Sequence, residues 1–239
     1  MSFSVRAAAL DALALVLPIE CAGCGADDRA LCDRCRAALA PEPTKRRLAD
    51  GTPVFSGLDY DGVVRRVVLA LKEQQRTDLA RQLAPALAAA VRAAVDDATG
   101  GATGGVPGLR VADLQVVAVP GTRAAYRRRG YDPVRLLLAR AGLGERRVFA
   151  AARPHAVQKG LGIDAREANL VGAFRLRRAV DGIHCLLIDD VVTTGSTLVE
   201  AAQVLRAGGA DVVAAATVAS TPRRIGPLVT AGRGPVGDL

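Results

Sequence analysis

Residues 186 to 198 read LLIDDVVTTGSTL, an apolar run that gives way to two carboxylates and then to a glycine among hydroxyl side chains. Asp189 and Asp190 fall at the exit of a buried strand, where the ligands of parallel sheets bind. Val192, Thr193, Thr194, Gly195, Ser196 and Thr197 then lead into a helix. The first amides of a helix have no internal partner and its dipole favours an anion, so this loop is expected to cradle a phosphate. Carboxylates beside a phosphate would only repel it and need another partner. Vicinal ribose hydroxyls attached to that phosphate satisfy both halves at once, and Mg2+ bridging to the ribose or to a further phosphate is also chemically reasonable. The stretch therefore reads as a ribose 5-phosphate site; the bland alternative is an Asp N-cap before a Thr-rich turn.

A second cluster lies near the start. CAGCGADDRALCDRC places Cys21, Cys24, Cys32 and Cys35 as two Cys-x-x-Cys pairs seven residues apart, with Gly25 suited to the first knuckle. Four thiolates close a tetrahedral shell around a structural Zn2+ and leave no open position for catalysis. Two disulfides are the alternative, disfavoured because no export signal is seen, and a redox pair fits two such knuckles less well.

The third feature is charge. The chain of 239 residues carries net charge +8 and a pI near 9.8. Between Arg123 and Arg178, 14 Lys and Arg face four acids, so that segment alone accounts for +10. Such a field concentrates polyanions, whether nucleic acid or a small polyphosphate. Tyr126 and Tyr131 flank the arginine run and offer two stacking faces for a single strand. The chain has no Trp and few other rings, which limits that reading.

These groups need elements to hold them. With 50% apolar residues and a mean hydropathy of +0.22, the chain can bury a core built of Ala, Val and Leu. The uncharged stretch 12 to 19 is too short to span a bilayer, so a cytoplasmic protein with an N-terminal amphipathic helix and no membrane span is expected. Residues 1–50 read as that helix, the four-Cys zinc module and a linker containing three prolines from 40 to 53. Beyond it, VFSGLDYDG reads as a strand, VVRRVVLALKEQQ as a helix ending near Lys72, and 77–98 as a helix kinked or broken at Pro85. LQVVAVP, RRVFA, IHCLLIDD and DVVAAATVA then alternate with helical DPVRLLLARAGL and STLVEAAQVLRAGGA, the latter ending at Gly208 and Gly209. Strand and helix in turn imply an α/β fold, a parallel sheet with helices on its faces, over 51–220, followed by a flexible tail at 221–239.

CLLIDDVVTTGST resembles the signature with which type I phosphoribosyltransferases bind 5-phosphoribosyl diphosphate (PRPP). The four-Cys module, DYDGVVRRVVLALK, VAVPGTRAAYRRRGYDP, QKGLGIDAREANLVGAF and that signature also follow the order seen in the ComF family of competence-related proteins, over about residues 15 to 220. The resemblance implies a type I phosphoribosyltransferase fold, with Asp189 and Asp190 as ribose-binding, catalytic acids and residues 193 to 197 as the 5-phosphate loop. It also implies that Arg123, Arg127, Arg128, Arg129 and Gly130 surround a pyrophosphate. Segment 153 to 174, with Gln158, Arg166 and Asn169, corresponds to a mobile loop closing over the reaction. ComF proteins usually read Arg-Gly-Phe-Asn-Gln where this chain has RGYDP, so Asp132 and Pro133 replace an amide pair, and Gly162 and Ala165 replace a Ser and a Glu.

Three functions follow as expectations. The first is a phosphoribosyltransferase-domain protein that binds PRPP with Mg2+ and, if active, transfers the phosphoribosyl group to an unknown acceptor with release of pyrophosphate. The second is a non-enzymatic single-stranded DNA-binding or nucleotide-sensing module in DNA uptake or processing, working with a competence or DNA-processing protein partner. The third is a scaffold whose zinc module docks a partner. His155 is the one loop side chain suited to proton transfer near neutral pH. His184 and Cys185 read as core, and Lys72 either reaches a phosphate or lies along the surface.

Overall fold

A computed structural model describes residues 19–27, 29–100, 105–150 and 174–222. Its sheet has five strands in the order β1-β2-β7-β6-β3, formed by Thr44–Arg47 (β1), Pro53–Asp59 (β2), Leu114–Ala118 (β3), His184–Val192 (β6) and Asp211–Ser220 (β7). All pairings are parallel except β1 with β2 at one edge. The helices are Asp33–Ala37 (α1), Gly62–Glu73 (α2), Ala80–Ala98 (α3), Arg123–Arg129 (α4), Pro133–Arg140 (α5) and Ser196–Ala207 (α6).

The central strand β6 explains why its run is apolar throughout. Side chains alternate across a strand, so Leu186 and Ile188 enter one core while Cys185 and Leu187 enter the other. The first core joins the sheet to α2, α3 and α5 and takes in Cys21, Leu31 and Cys35 of the cysteine module. The second lies under α6, through Leu198, Ala201, Ala202 and Leu205. Helix α3 packs on β2 and β7 so closely that a Cβ at Gly57 would lie 2.2 Å from the carbonyl oxygen of Ala86. Helix α6 ends as expected, with Gly208 as C-cap and Gly209 at φ 86°.

Several expectations are corrected. The linker over 40–53 contains β1, which pairs antiparallel with β2 and leaves Leu48 buried behind it. RRVFA contributes only Phe149–Ala150 (β4), which pairs antiparallel with Arg175–Leu176 (β5) apart from the main sheet. Pro85 does not break α3, which runs through it after a 3-10 turn at Thr77–Leu79. β6 continues past the two acids to Val192. His184 is no core residue: it is partly exposed, with Nδ1 3.0 Å from Asp211 Oδ2 across the register pair His184 and Asp211. Cys185 is buried as expected, and burial pushes its thiol up to about 11. Among the described residues, no helix is long and apolar enough to cross a membrane.

Candidate functional site

The acids owe their access to unequal strand lengths. β3 pairs with β6 only as far as Ala118 opposite Ile188, and after Val119 donates to the Ile188 carbonyl (2.9 Å) the chain turns away at Pro120. β7 continues alongside, with Thr217 opposite Asp189 and Ser220 opposite Val192. From Asp189 onward β6 is therefore covered on one edge and open on the other, which places the acids in a crevice at the carboxyl end of the sheet.

Asp190 is 9% exposed, and its Oδ1 lies 3.0 Å from Lys72 Nζ in the last turn of α2. Burial alone would lower the Lys72 ammonium, but the carboxylate of Asp190, with Asp189 behind it, outweighs burial and raises it. Asp189 accepts a hydrogen bond from the amide of Asp190 at 2.8 Å. Loss of solvent around its carboxyl, reinforced by repulsion from Asp190, pushes it up to about 8. The two acids are thus unlike: burial and its neighbour push Asp189 toward the neutral form, while Asp190 is paired with a lysine.

The loop after Val192 is fixed from both sides. Arg46 of β1 donates to the carbonyl of Thr193 (3.0 Å), and the Thr221 amide donates to the carbonyl of Val192 (3.1 Å). Gly195 caps α6 at φ 87°, the left-handed region that favours glycine, and a Cβ there would sit 2.6 Å from Leu48 Cδ2. The hydroxyls of Thr194 and Ser196 lie 2.9 Å apart. Between Asp189 and the loop runs a narrow cleft of about 30 Å3, lined by Asp189, Thr193, Thr194, Gly195 and Thr197 among others.

A larger cavity, about 380 Å3, lies by the arginine segment between Pro120 and Arg135 and is also lined by Phe149 and Arg177. Thr122 caps α4 by accepting from the Ala125 amide (3.1 Å), and Gly130 ends that helix at φ 78°. Arg128 and Arg129 both bind Glu73, at 2.9 and 2.8 Å, whereas Arg123 and Arg127 lie exposed. Arg129, followed by Arg128, holds the Glu73 carboxyl below the usual range. The Tyr131 hydroxyl donates to the Leu71 carbonyl. Asp132 serves as N-cap of α5, accepting from the amides of Val134 (3.0 Å) and Arg135 (3.3 Å), with Pro133 at the first helical position. Its side chain is thus engaged by the backbone of the helix that it caps.

The four cysteine sulfurs lie within 4.8 Å of one another, and none is in a disulfide. Tetrahedral Zn–S bonds of about 2.3 Å imply sulfur separations of about 3.8 Å, and Cys24 and Cys32 are already at 3.7 Å. The donor set and its spacing fit zinc. Burial raises both inner thiols, but for Cys21 the amide hydrogen bonds from Cys32, Gly23 and Cys24 prevail and lower it to about 6, while Cys35 is pushed up to about 12. A Cβ at Gly23 would meet Cys35 Sγ at 2.5 Å. The module is tied to the rest by Arg66, which donates to the Gly23 carbonyl, and by Arg76, which donates to the carbonyls of Glu20 and Ala30 (both 3.2 Å).

Gln158, Arg166, Asn169 and His155 lie outside the described residues. Sequence reasoning missed Glu73 and Arg46 and left Lys72 undecided. The signature itself carries no local signal for partners so far away in the chain.

The family model "Phosphoribosyl transferase domain" matches residues 143–230. DNA utilization protein YhgH of Salmonella typhimurium strain LT2 is 33% identical over 193 residues, covering 77% of this chain and 81% of that protein. The chain belongs to the ComF family. YhgH of Escherichia coli K12 is 30% identical over 196 residues, covering 78% of this ComF-family chain and 82% of its own length. A ribose-phosphate pyrophosphokinase of Ralstonia nicotianae is 33% identical over a shorter span of 105 residues, 41% of this chain and 31% of that enzyme.

Proposed function

We propose that the chain binds PRPP with Mg2+ in the crevice between Asp189, Asp190 and the loop at 193 to 197. With a suitable acceptor it transfers the phosphoribosyl group. The observation that supports this reading is the open edge of β6, with Asp189 lining one cleft together with the hydroxyl-rich entrance of α6 and Asp190 next to it in the strand. In this assignment Thr193, Thr194, Ser196 and Thr197 donate to the 5-phosphate together with the first amides of α6, and Gly195 lets the backbone approach it. Asp189 and Asp190 accept from the ribose hydroxyls. The exposed arginines Arg123 and Arg127, with Arg128 and Arg129, receive the pyrophosphate. Mg2+, when bound, supplies charge neutralisation on the diphosphate oxygens, for which these carboxylates are suitable hard ligands. In the transfer a bond forms from the acceptor to the ribose anomeric carbon as the bond to pyrophosphate breaks, and charge on the leaving group is absorbed by the arginine segment. Zn2+ held by Cys21, Cys24, Cys32 and Cys35 is structural.

Calorimetric titration of PRPP, with and without Mg2+, into the protein and an Asp189→Ala, Asp190→Ala variant tests the reading. Mg2+-dependent binding that the variant loses is expected. A folded, zinc-loaded protein that binds no PRPP would sink it.

A second reading, single-stranded DNA binding in DNA uptake or processing, is favoured by one surface feature and by the name of the relatives, DNA utilization protein YhgH. On α4, Tyr126 is 55% exposed beside exposed Arg123 and Arg127, a ring and two cations on one short helix. Oligonucleotide binding that weakens steeply with salt and is lost in a Tyr126→Ala variant, with PRPP binding spared, would support it.

A further inference from the structure

The last turn of α2 presents two adjacent side chains of opposite sign, and each is paired with a different half of the site. Lys72 Nζ lies 3.0 Å from Asp190 in the acid pair, and Glu73 lies 2.9 and 2.8 Å from Arg128 and Arg129 in the arginine segment. We infer that Lys72 and Glu73 are internal stand-ins for the two halves of a metal-chelated diphosphate, and that they make the site select ligands bringing a divalent cation and a polyanion together. The inference rests on the phosphoribosyl reading for the identity of the diphosphate, and on the contacts themselves for the rest.

Arg129 shows that something other than Glu73 belongs there. Its side chain is only 12% exposed, it walls the cavity of about 380 Å3, and its Nε is buried with no hydrogen-bond partner. A desolvated guanidinium offers a planar fork that one carboxylate on Nη2 does not fill, whereas a multi-oxygen anion does. Glu73 is 45% exposed, so it can leave for water at small cost.

Charge explains why the ligand must bring both parts. The groups in direct ion pairs are three cations, Lys72, Arg128 and Arg129, and two anions, Asp190 and Glu73, with Asp189 beside Asp190 and the exposed Arg123 and Arg127 on the cavity wall. Pyrophosphate alone would release Glu73 and gather negative charge beside both that carboxylate and Asp190. A bare dication at Asp190 would meet Lys72, with Arg129 close enough to act on that lysine. When both arrive, the dication takes over from Lys72 at Asp190, the polyanion takes over from Glu73 at the arginines, and the two displaced side chains are released to water, since neighbours on a helix do not face each other.

The test is calorimetry with inorganic pyrophosphate in the absence of divalent cations, on the wild type, Glu73→Gln and Glu73→Ala, with Asp113→Asn at the far end of β3 as the control for net charge. Removing an exposed competing ion pair should tighten pyrophosphate binding roughly two- to fivefold in both Glu73 variants and leave the Asp113 variant at the wild-type value. Lys72→Met should likewise bind Mg2+ alone more tightly than the wild type. Folded Glu73 variants whose pyrophosphate affinity equals or falls below that of the wild type, undetectable binding in all of them included, would overturn the inference. A parallel titration of PRPP with Mg2+ into the wild type separates the two ideas. Lack of PRPP binding beside a gain in the Glu73 variants removes the phosphoribosyl reading and leaves the stand-in role; PRPP binding with no such gain does the reverse.

Discussion

Lys72 and Asp190 are 118 residues apart in the chain and 3.0 Å apart in space. Helix α2 thereby joins the candidate site to the cysteine module, because Arg66 of the same helix and Arg76 just beyond it hold the module's carbonyls. Both members of the pair are mostly buried, with side chains 26% and 13% exposed. Removing one partner leaves the other charge poorly solvated. Because the pair is not fully buried, Lys72→Met is expected to cost about 1–3 kcal/mol, the range for an unsatisfied buried polar group, and Asp190→Asn should recover part of that loss in the double variant. Thermal and urea unfolding of the two single variants and the double would read the coupling; strict additivity would show that the pair contributes nothing.

Asp189 gives a pH dependence with a definite sign. Its folded-state value is raised to about 8 from an ordinary 3.8. Between those values the folded protein retains a proton that the unfolded chain has released, so stability falls as pH rises across that window and levels off above it. Asp189→Asn carries no titrating proton and should flatten the slope. Unfolding midpoints of wild type and variant from pH 5 to 9 test this, and parallel curves would remove Asp189 as the source. If Mg2+ and PRPP bind at this carboxyl, binding at pH 7 should also release a proton, read as a dependence of the binding heat on the ionisation heat of the buffer.

The cysteine centre should hold one zinc per chain, and its loss should reach beyond the module. Cys35 is 1% exposed within the core that also contains Val67 and Leu71 of α2. Cys35→Ser is therefore expected to lose metal and to lower the unfolding temperature by several degrees. Elemental analysis of the purified protein and variant, with thermal unfolding before and after chelation, checks both points. A metal-free protein with an unchanged unfolding temperature would count against a structural role.

The strand and loop over 184–197 were legible because period, acid pair and glycine all coincide within one local stretch. The α6 boundaries and the cysteine knuckles were legible for the same reason. β1 was hidden because its four residues, TKRR, have no apolar alternation and lie between prolines; the pairing with β2 creates the strand. RRVFA had the composition of a strand, but its two paired residues find a partner in Arg175–Leu176 and not in the main sheet. The N-cap role of Asp132 could have been read from the sequence, since Asp before Pro at a helix start is a known signal. The pairing of Glu73 with Arg128 and Arg129 could not, because it depends on how α2 and α4 meet in space.

Gly195 offers the sharpest test of the phosphate loop. Its φ of 87° is costly for any residue with a side chain, and the added Cβ of alanine would stand 2.6 Å from Leu48 Cδ2. Leu48 is itself buried behind β1, so it can yield only by shifting a packed side chain. Gly195→Ala should cost about 1–3 kcal/mol from backbone strain and contact together, and it should weaken PRPP binding, because the loop must move to relieve both. Leu48→Ala removes the contact and leaves the strain. The double variant should therefore be more stable than the sum of the single effects predicts, while ligand affinity stays low. Thermal unfolding and calorimetry on all four proteins separate the two contributions. Full recovery of affinity in the double variant would show that crowding by Leu48, and not the left-handed backbone, shapes the loop.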